Sequence, residues 1–121
     1  MAPDRGLEDF DKLWQALGVE AWDGLRILDV ACGSGIKCLA LARQHPGVRV
    51  TLQDWPEVLE VAVEVATKLG LAGQVATLSG DLQAVDYGQE QFDVVWFGNV
   101  TQYYSPKDVV GLLRKTWPAL V

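Results

Sequence analysis

The sequence of 121 residues has little of the chemistry that marks a metalloprotein or a disulfide-rich protein, with one histidine, one methionine and two cysteines. Cys32 and Cys38 are too few for a disulfide framework or a four-ligand zinc site. Basic residues are also scarce, since ten Lys and Arg stand against sixteen Asp and Glu, for a net charge of −6. We therefore expect no metal and no nucleic-acid partner, because a phosphate backbone requires clusters of Lys and Arg.

Long apolar runs are absent as well. No stretch approaches the roughly 20 residues that a membrane-spanning helix requires, and no apolar signal-peptide core follows the first residues. Together with the low cysteine count, this favours a reducing, cytoplasmic location and no membrane partner.

Apolar residues make up half of the chain and charged residues only 21%. This balance excludes a disordered chain and favours one folded domain over residues 1–121. We expect an N-terminal helix within residues 1–20 and an α/β portion over residues 25–121.

The spacing of the apolar residues predicts four strands and four helices in the order α-β-α-β-α-β-β-α. The strands are predicted at 25–30, 48–53, 74–79 and 92–97, and the helices at 7–17, at 36–44, after Asp54-Trp55-Pro56-Glu57 and after Ser105. Strands joined through helices are parallel, so the expected fold class is α/β with an open, doubly wound sheet. Arg26–Leu28 and Val94–Phe97 are expected to be covered on both faces.

Ligands of such sheets bind at the carboxyl ends of the strands, where three groups of residues fall. The first is the glycine-rich turn Asp29-Val30-Ala31-Cys32-Gly33-Ser34-Gly35. Its backbone can approach a ligand closely, and the helix behind it offers unpaired N–H groups to an anionic group. The alternative is a tight strand-to-helix turn without a ligand.

The other two groups contain carboxylates. Asp54 can accept two hydrogen bonds from a ribose diol, or it can cap the helix that follows. Trp55 can pack on an adenine ring or in the core. Asp81, after Gly80, can accept a hydrogen bond from an adenine amino group while a nearby backbone N–H meets the ring nitrogen, or it is a surface turn residue.

A dinucleotide site is the competing interpretation, and it requires G-x-G-x-x-G. Here Gly33-Ser34-Gly35 is followed by Ile36-Lys37-Cys38, so the third glycine is missing, and an acid, Asp29, lies inside the first strand. Both departures favour a different nucleoside.

Four segments together resemble the motifs of class I S-adenosylmethionine-dependent methyltransferases, in the small-molecule O-methyltransferase branch: Ile27–Gly35, Val50–Val58, Gly80–Leu82 and Phe92–Val100. Ala31 replaces the first glycine of the first motif. The resemblance covers about residues 10–120 and implies a Rossmann-like doubly wound parallel sheet, with S-adenosylmethionine or S-adenosylhomocysteine as the cofactor.

The resemblance also implies cofactor-binding roles for Asp29, Ala31, Gly33, Gly35, Asp54, Trp55, Asp81, Leu82 and Asn99. Asp29 would approach the methionine amino group, and Asp54 would hold the ribose hydroxyls. Trp55 would flank the adenine, whose edge Asp81 and Leu82 would read.

Three further residues have roles by the same resemblance. Asn99 would supply a backbone contact to the methionine moiety, and Phe10 and Trp14 on the first helix would cover the site.

One departure from the family concerns proton transfer. The branch commonly carries a histidine general base after the fourth strand, where this chain has Gln102, and an amide cannot take up a proton at neutral pH. The only histidine, His45, is expected at a helix end on the far side of the sheet. Methyl transfer can still proceed, because the sulfonium is already activated and positioning supplies much of the rate. Tyr103 and Tyr104 are candidate substrate contacts or plain aromatic residues.

A second departure is length, because the family continues for three more strands. The resemblance therefore implies a sheet truncated to about four strands in the order 3-2-1-4, with the fourth strand at an edge. An apolar edge strand favours pairing with another chain, so a homodimer or larger assembly through this edge is expected.

The function indicated is an S-adenosylmethionine-binding, methyltransferase-like domain that transfers a methyl group to a small molecule. The alternative is a non-catalytic cofactor-binding or assembly module. A nicotinamide-binding half domain is a third and weaker interpretation.

Overall fold

A computed structural model of the chain describes residues 7–18, 23–98, 100 and 102–121. Its helices are α1 (Leu7–Leu17), α2 (Ile36–Gln44), α3 (Pro56–Lys68) and α4 (Pro106–Thr116), and its strands are β1 (Arg26–Val30), β2 (Arg49–Asp54), β3 (Val75–Ser79) and β4 (Val94–Trp96). Short 3-10 turns lie at Ala72–Gln74 and Trp117–Ala119. The element order is the predicted one, and every strand boundary lies within two residues of its prediction.

All four strands are parallel and lie in the order β3-β2-β1-β4, as the resemblance implied. In the central strand, Ile27 pairs with Val50 of β2 and with Val94 of β4. Because the strands are parallel, they all start at one end of the sheet and all finish at the other. We call these the amino end (Arg26, Arg49, Val75 and Val94) and the carboxyl end (Val30, Asp54, Ser79 and Trp96).

Two apolar layers enclose the sheet. On one face, α1, α2 and α3 contribute Trp14, Leu39 and Leu59 to a core that contains Ile27. On the other face, the segment between β3 and β4 and helix α4 cover Leu28 and Val30. Strand β1 is therefore buried after its first residue, as predicted.

Strand β4 departs from the prediction that both of its faces are covered. Its three residues are only partly buried, because β4 has β1 on one side and no strand on the other among the described residues. The last residues of the chain bond to the segment that precedes β4, where Phe92 forms an isolated parallel bridge with Leu120 and the Val121 N–H donates to the Phe92 carbonyl at 2.9 Å.

The helix ends follow the local sequence signals. The Gly18 N–H donates to the carbonyls of Trp14 and Gln15 at 3.1 Å and ends α1 in a left-handed conformation. At the start of α4 the Ser105 hydroxyl accepts from the Asp108 N–H at 3.2 Å, with a proline in the first turn. Among the described residues, no helix is both long enough and apolar enough to cross a bilayer.

Candidate functional site

The loops that follow the strands converge at the carboxyl end of the sheet. A cavity there lies between the loop after β1, the start of α2 and the end of β4, and its lining includes Asp29, Gly33, Ser34, Lys37, Trp96 and Gly98. This is the place at which ligands bind open parallel sheets.

The glycine-rich turn has the backbone geometry that its sequence predicts. Gly33 and Gly35 have φ of +59° and +73°, and Gly35 forms the N-cap of α2. A Cβ at Gly35 would lie 2.9 Å from Cδ2 of Leu52, so this position requires glycine for its packing as well as its φ. Ala31 also has a left-handed φ, +53°, which is strained for a residue with a Cβ.

Asp54 joins the turn to the second strand. Its Oδ2 accepts from the Gly33 N–H at 3.0 Å, and its Oδ1 accepts from the Trp55 N–H at 2.8 Å. The prediction that Asp54 caps α3 is wrong, because the N-cap is Trp55 and no side chain caps this helix. The carboxylate is instead oriented by a loop 21 residues earlier in the chain, and each of its oxygens can accept a further hydrogen bond.

Trp55 is 53% exposed, so the alternative of a core tryptophan is wrong. Its exposed ring directly follows Asp54 at the carboxyl end of the sheet, where a planar ligand group can stack on it.

Asp81 lies partly buried in the turn after β3, and its contact with an adenine stays a prediction. Its Oδ1 accepts from the Gln83 N–H at 2.9 Å, while Oδ2 accepts from none of the described residues. The Leu82 side chain is buried in the core, and its carbonyl accepts from the Tyr87 hydroxyl at 2.6 Å. The Leu82 N–H donates to none of the described residues, so two adjacent residues carry a carboxylate oxygen and an N–H that have no partner among the described residues.

Asp29 is the buried acid of the cavity, with 4% of its surface exposed. Burial raises its pKa to about 7, against the smaller effects of a hydrogen bond with Cys38 and the charge of Lys37. The negative charge of Asp54 raises it further. A nearby positive charge favours the ionised form of a carboxyl group whose pKa is raised in this way.

Both thiols near Asp29 stay protonated. Burial, and then the negative charge of Asp29, raise the pKa of Cys32 and of Cys38. The Cys32 thiol donates to the Gly33 carbonyl at 3.3 Å, so it fills and stabilises the turn.

Helix α1 supports the cavity from behind. Trp14 is 1% exposed, so the expectation that it covers the site is wrong. Its indole N–H donates to the Lys37 carbonyl at 2.7 Å, and its ring centroid lies 5.0 Å from that of Trp96. Trp14 thus holds two lining residues, Lys37 and Trp96, from the core side. The role given to Phe10 stays a prediction.

The sequence analysis missed Gln53, the residue before Asp54. Its buried side chain connects the loops after β1 and β3 by hydrogen bonds. A glutamine at the end of a predicted inner strand, directly before the candidate ligand residue Asp54, is the signal that could have indicated it.

Asn99 lies outside the described residues. Four of the other residues named in the sequence analysis do not line the cavity. Gln102 and Tyr103 are exposed on the turn before α4, and Tyr104 packs against the core on the α4 face. His45 follows α2 at the amino end of the sheet, as expected. In the part of the chain that the structure describes, no group of His, Cys, Asp and Glu could hold a metal ion.

Comparisons with known proteins agree with this geometry. Residues 27–121 match the family described as methyltransferase domain. The chain is 37% identical over 59 residues to the 3-hydroxy-5-methyl-1-naphthoate 3-O-methyltransferase of Streptomyces sahachiroi, which covers 49% of this chain and 17% of that protein. It is also 34% identical over 87 residues to the tRNA (guanine-N(7)-)-methyltransferase of Mycobacterium avium, covering 65% of this chain and 29% of that protein.

Among solved structures, the O-methyltransferase family 2 protein of Planctomyces limnophilus superimposes with a TM-score of 0.75 at 29% identity. The match covers 82% of this chain and 30% of that protein. The chain thus spans less than a third of the length of each of these relatives.

Proposed function

The chain belongs to the S-adenosylmethionine-dependent methyltransferase family. On that premise we propose that the carboxyl end of its sheet binds S-adenosylmethionine for methyl transfer to a small molecule. The family uses S-adenosylmethionine and yields S-adenosylhomocysteine. The site residues of this chain and its acceptor are the parts that we propose.

The nucleoside half of the cofactor fits the loops after β2 and β3. Asp54 is already oriented by the Gly33 N–H, which leaves further lone pairs for the two hydroxyls of a ribose. The exposed Trp55 ring offers a stacking face to adenine. Asp81 Oδ2 and the Leu82 N–H offer an acceptor and a donor side by side, which is the pair that an adenine amino group and its neighbouring ring nitrogen require.

The amino-acid half fits the cavity after β1. The methionine end carries an ammonium and a carboxylate, and the cavity is lined by one acid, Asp29, and one base, Lys37. Burial of Asp29 disfavours its charged form, and an ammonium group beside it would stabilise that form. The Ser34 N–H donates to none of the described residues and adds a donor for the carboxylate at the start of α2.

The cofactor supplies a methyl group on a positively charged sulfur, which leaves as a neutral thioether. An acceptor oxygen, nitrogen or carbon would form the new bond to the methyl carbon as the carbon–sulfur bond breaks, and the acceptor's proton would pass to solvent or a nearby base. Gln102 cannot take that proton, so we propose that this chain contributes by holding and orienting the cofactor.

Naphthoate and tRNA guanine are very different acceptors, yet proteins named for them are similar to 49% and 65% of this chain. What methyltransferases with such different acceptors have in common is the methyl donor. This supports a cofactor-binding role for the region, with acceptor recognition placed elsewhere. The small-molecule acceptor is favoured by the O-methyltransferase motif at Val50–Val58.

The contact between Asp54 and the Gly33 N–H carries the proposal, because it fixes a carboxylate at the point where two loops meet. We predict that calorimetric titration with S-adenosylhomocysteine shows saturable binding. Asp54→Ala should weaken it by roughly a hundredfold, through loss of the ribose bonds and of the loop contact.

Asp93→Ala is the matched control for Asp54→Ala. Asp93 also accepts a backbone N–H bond, from Arg26 at 2.8 Å, but it lies at the amino end of the sheet. Its removal should leave the affinity unchanged. A folded wild-type chain that binds no S-adenosylhomocysteine would contradict the proposal and favour a non-catalytic module.

We also propose that two copies of the chain associate through the outer side of β4. That side has no neighbouring strand among the described residues. The large side chains of Val110, Leu113 and Trp117 are also exposed, on α4 and the turn after it. An open edge strand and exposed apolar residues both favour self-association. Light scattering at micromolar concentration should give the mass of a dimer, and a monomer would contradict this.

A further inference from the structure

The side chain of Gln53 connects two loops of the candidate site. Its Oε1 accepts from the Ala31 N–H at 2.9 Å, and its Nε2 donates to the Gly80 carbonyl at 2.7 Å. The first loop contains Gly33, and the second leads into Asp81. Resting on the function proposed above, we propose that Gln53 is a positioning residue that sets the distance between the loops holding the two halves of the cofactor.

The position of Gln53 suits this role. It lies on β2, between Val30 of β1 and Leu78 of β3 in the register, so its side chain reaches both neighbouring strand ends. It is 1% exposed, and its own carbonyl accepts from the Cys32 N–H at 2.9 Å. Three hydrogen bonds from one residue therefore hold the loop after β1 and the loop after β3 to the same point.

The chemistry requires an amide. One loop presents a donor, the Ala31 N–H, and the other presents an acceptor, the Gly80 carbonyl, and only a side chain with both a C=O and an NH₂ satisfies them together. A side chain of the same length without these groups leaves both loop groups without partners. The loops can then move apart by small amounts, which weakens the affinity for a ligand that both loops contact.

Gln74 provides an internal control for a purely structural role. Its Nε2 donates to three backbone carbonyls, those of Ala42, His45 and Val48, at 2.9–3.1 Å. It is partly buried, but it lies at the amino end of the sheet, far from the candidate site. Loss of its amide should lower stability without altering the loops that contact the cofactor.

The test compares Gln53→Met with Gln74→Met, because methionine has nearly the volume of glutamine and makes no comparable hydrogen bond. We expect the Kd for S-adenosylhomocysteine to rise about tenfold or more in Gln53→Met and less than about twofold in Gln74→Met. Urea unfolding of both variants shows how much stability each has lost. Equal Kd values for wild type and a folded Gln53→Met would overturn the inference while the proposed function stands.

Hydrogen exchange separates this inference from the proposed function. In Gln53→Met, the amide of Ala31 should exchange faster than in wild type, and in Gln74→Met it should not. If wild type binds no S-adenosylhomocysteine but this difference is seen, the proposed function fails and the positioning of the loops by Gln53 stands. If exchange at Ala31 is the same in both variants, the inference is overturned.

A second pair of variants tests the inference if the methionine variants do not fold. Gln53→Asn keeps the amide but moves it back by one methylene, so it cannot reach both loops, and Gln74→Asn is its control. The expected order of Kd values is the same, and equal Kd values for these two variants would overturn the inference.

Discussion

The two ends of the sheet use the same kinds of residue with opposite results. Each has a glutamine whose amide connects backbone segments, Gln53 at the carboxyl end and Gln74 at the amino end. Each also has an aspartate, Asp29 within β1 near its carboxyl end and Asp93 bonded to Arg26 at its amino end. At the amino end, Asp93 is paired with Arg26. At the carboxyl end, Asp29 is buried, and several donors and acceptors have no partner among the described residues.

The two aspartates show this difference most clearly. Burial raises the pKa of Asp29 to about 7. Burial also acts to raise the pKa of Asp93, but hydrogen bonds from Arg26 and its positive charge outweigh it and lower that pKa. Asp93 thus has a charged partner in Arg26, whereas Asp29 bonds to the Cys38 thiol and forms no ion pair among the described residues, so a cationic group of a ligand would stabilise its charged form.

The largest effect is predicted for the replacement of a glycine with positive φ, and it differs between Gly35 at the carboxyl end and Gly24 at the amino end. A Cβ at Gly35 would lie 2.9 Å from Leu52, whereas one at Gly24 would meet nothing within 4 Å. Gly35→Val should therefore lower the free energy of unfolding by about 4 kcal/mol, from strain and overpacking together. Gly24→Val should lower it by about 1–2 kcal/mol, from strain alone. Equal losses in urea denaturation would show that close packing against Leu52 is not what requires the glycine.

The fold was predictable because its signals are local. The cap at Ser105, the glycine that ends α1 and the alternation of helices and strands all depend on residues near in sequence. The motif resemblance added the strand order, which local signals cannot supply.

The details of the site were less predictable because they depend on contacts between distant residues. Asp54 looked like a helix cap, but the Gly33 N–H, 21 residues away, competes for its carboxylate. Trp14 looked like a cover for the site, but its packing on Trp96 places it in the core. The role of Gln53 could not be worked out from the residues around it, because both of its side-chain partners are backbone groups of loops on other strands.

A smaller effect tests the two aspartates through pH. The pKa of Asp29 is raised in the folded state above its unfolded value of about 4. Its contribution to stability is therefore complete below about pH 4 and is lost as pH rises through about 7. Asp29→Asn removes the ionisable group and with it this pH-dependent loss of stability. At pH 8 the free energy of unfolding of the variant should exceed that of wild type by on the order of 2–3 kcal/mol, and at pH 5 by less.

Asp93→Asn should behave in the opposite way. The folded pKa of Asp93 is lowered, so its contribution is present above the unfolded value and is lost as pH falls through the folded one. The variant should be less stable than wild type at neutral pH by about 0.5–1 kcal/mol, because the pair with Arg26 is partly exposed. Urea denaturation of both variants from about pH 2 to pH 8 measures the two slopes, that of Asp93 below about pH 4 and that of Asp29 above it, and slopes of the same sign would contradict the comparison.

The smallest predicted effect concerns two residues that have positive φ without being glycine, Ala31 at the carboxyl end and Glu90 at the amino end. Replacing either by glycine removes strain of about 1–2 kcal/mol, while the greater freedom of glycine in the unfolded chain returns about 0.5–1 kcal/mol. Ala31→Gly and Glu90→Gly should each therefore raise the free energy of unfolding by roughly 0.5 kcal/mol. The Ala31 N–H keeps its bond to Gln53 in the variant, so the Kd for S-adenosylhomocysteine should stay the same. If Ala31→Gly stabilises the chain but weakens binding, whereas Glu90→Gly only stabilises it, the Ala31 methyl group is a further restraint on the turn, and strain at the carboxyl end serves binding.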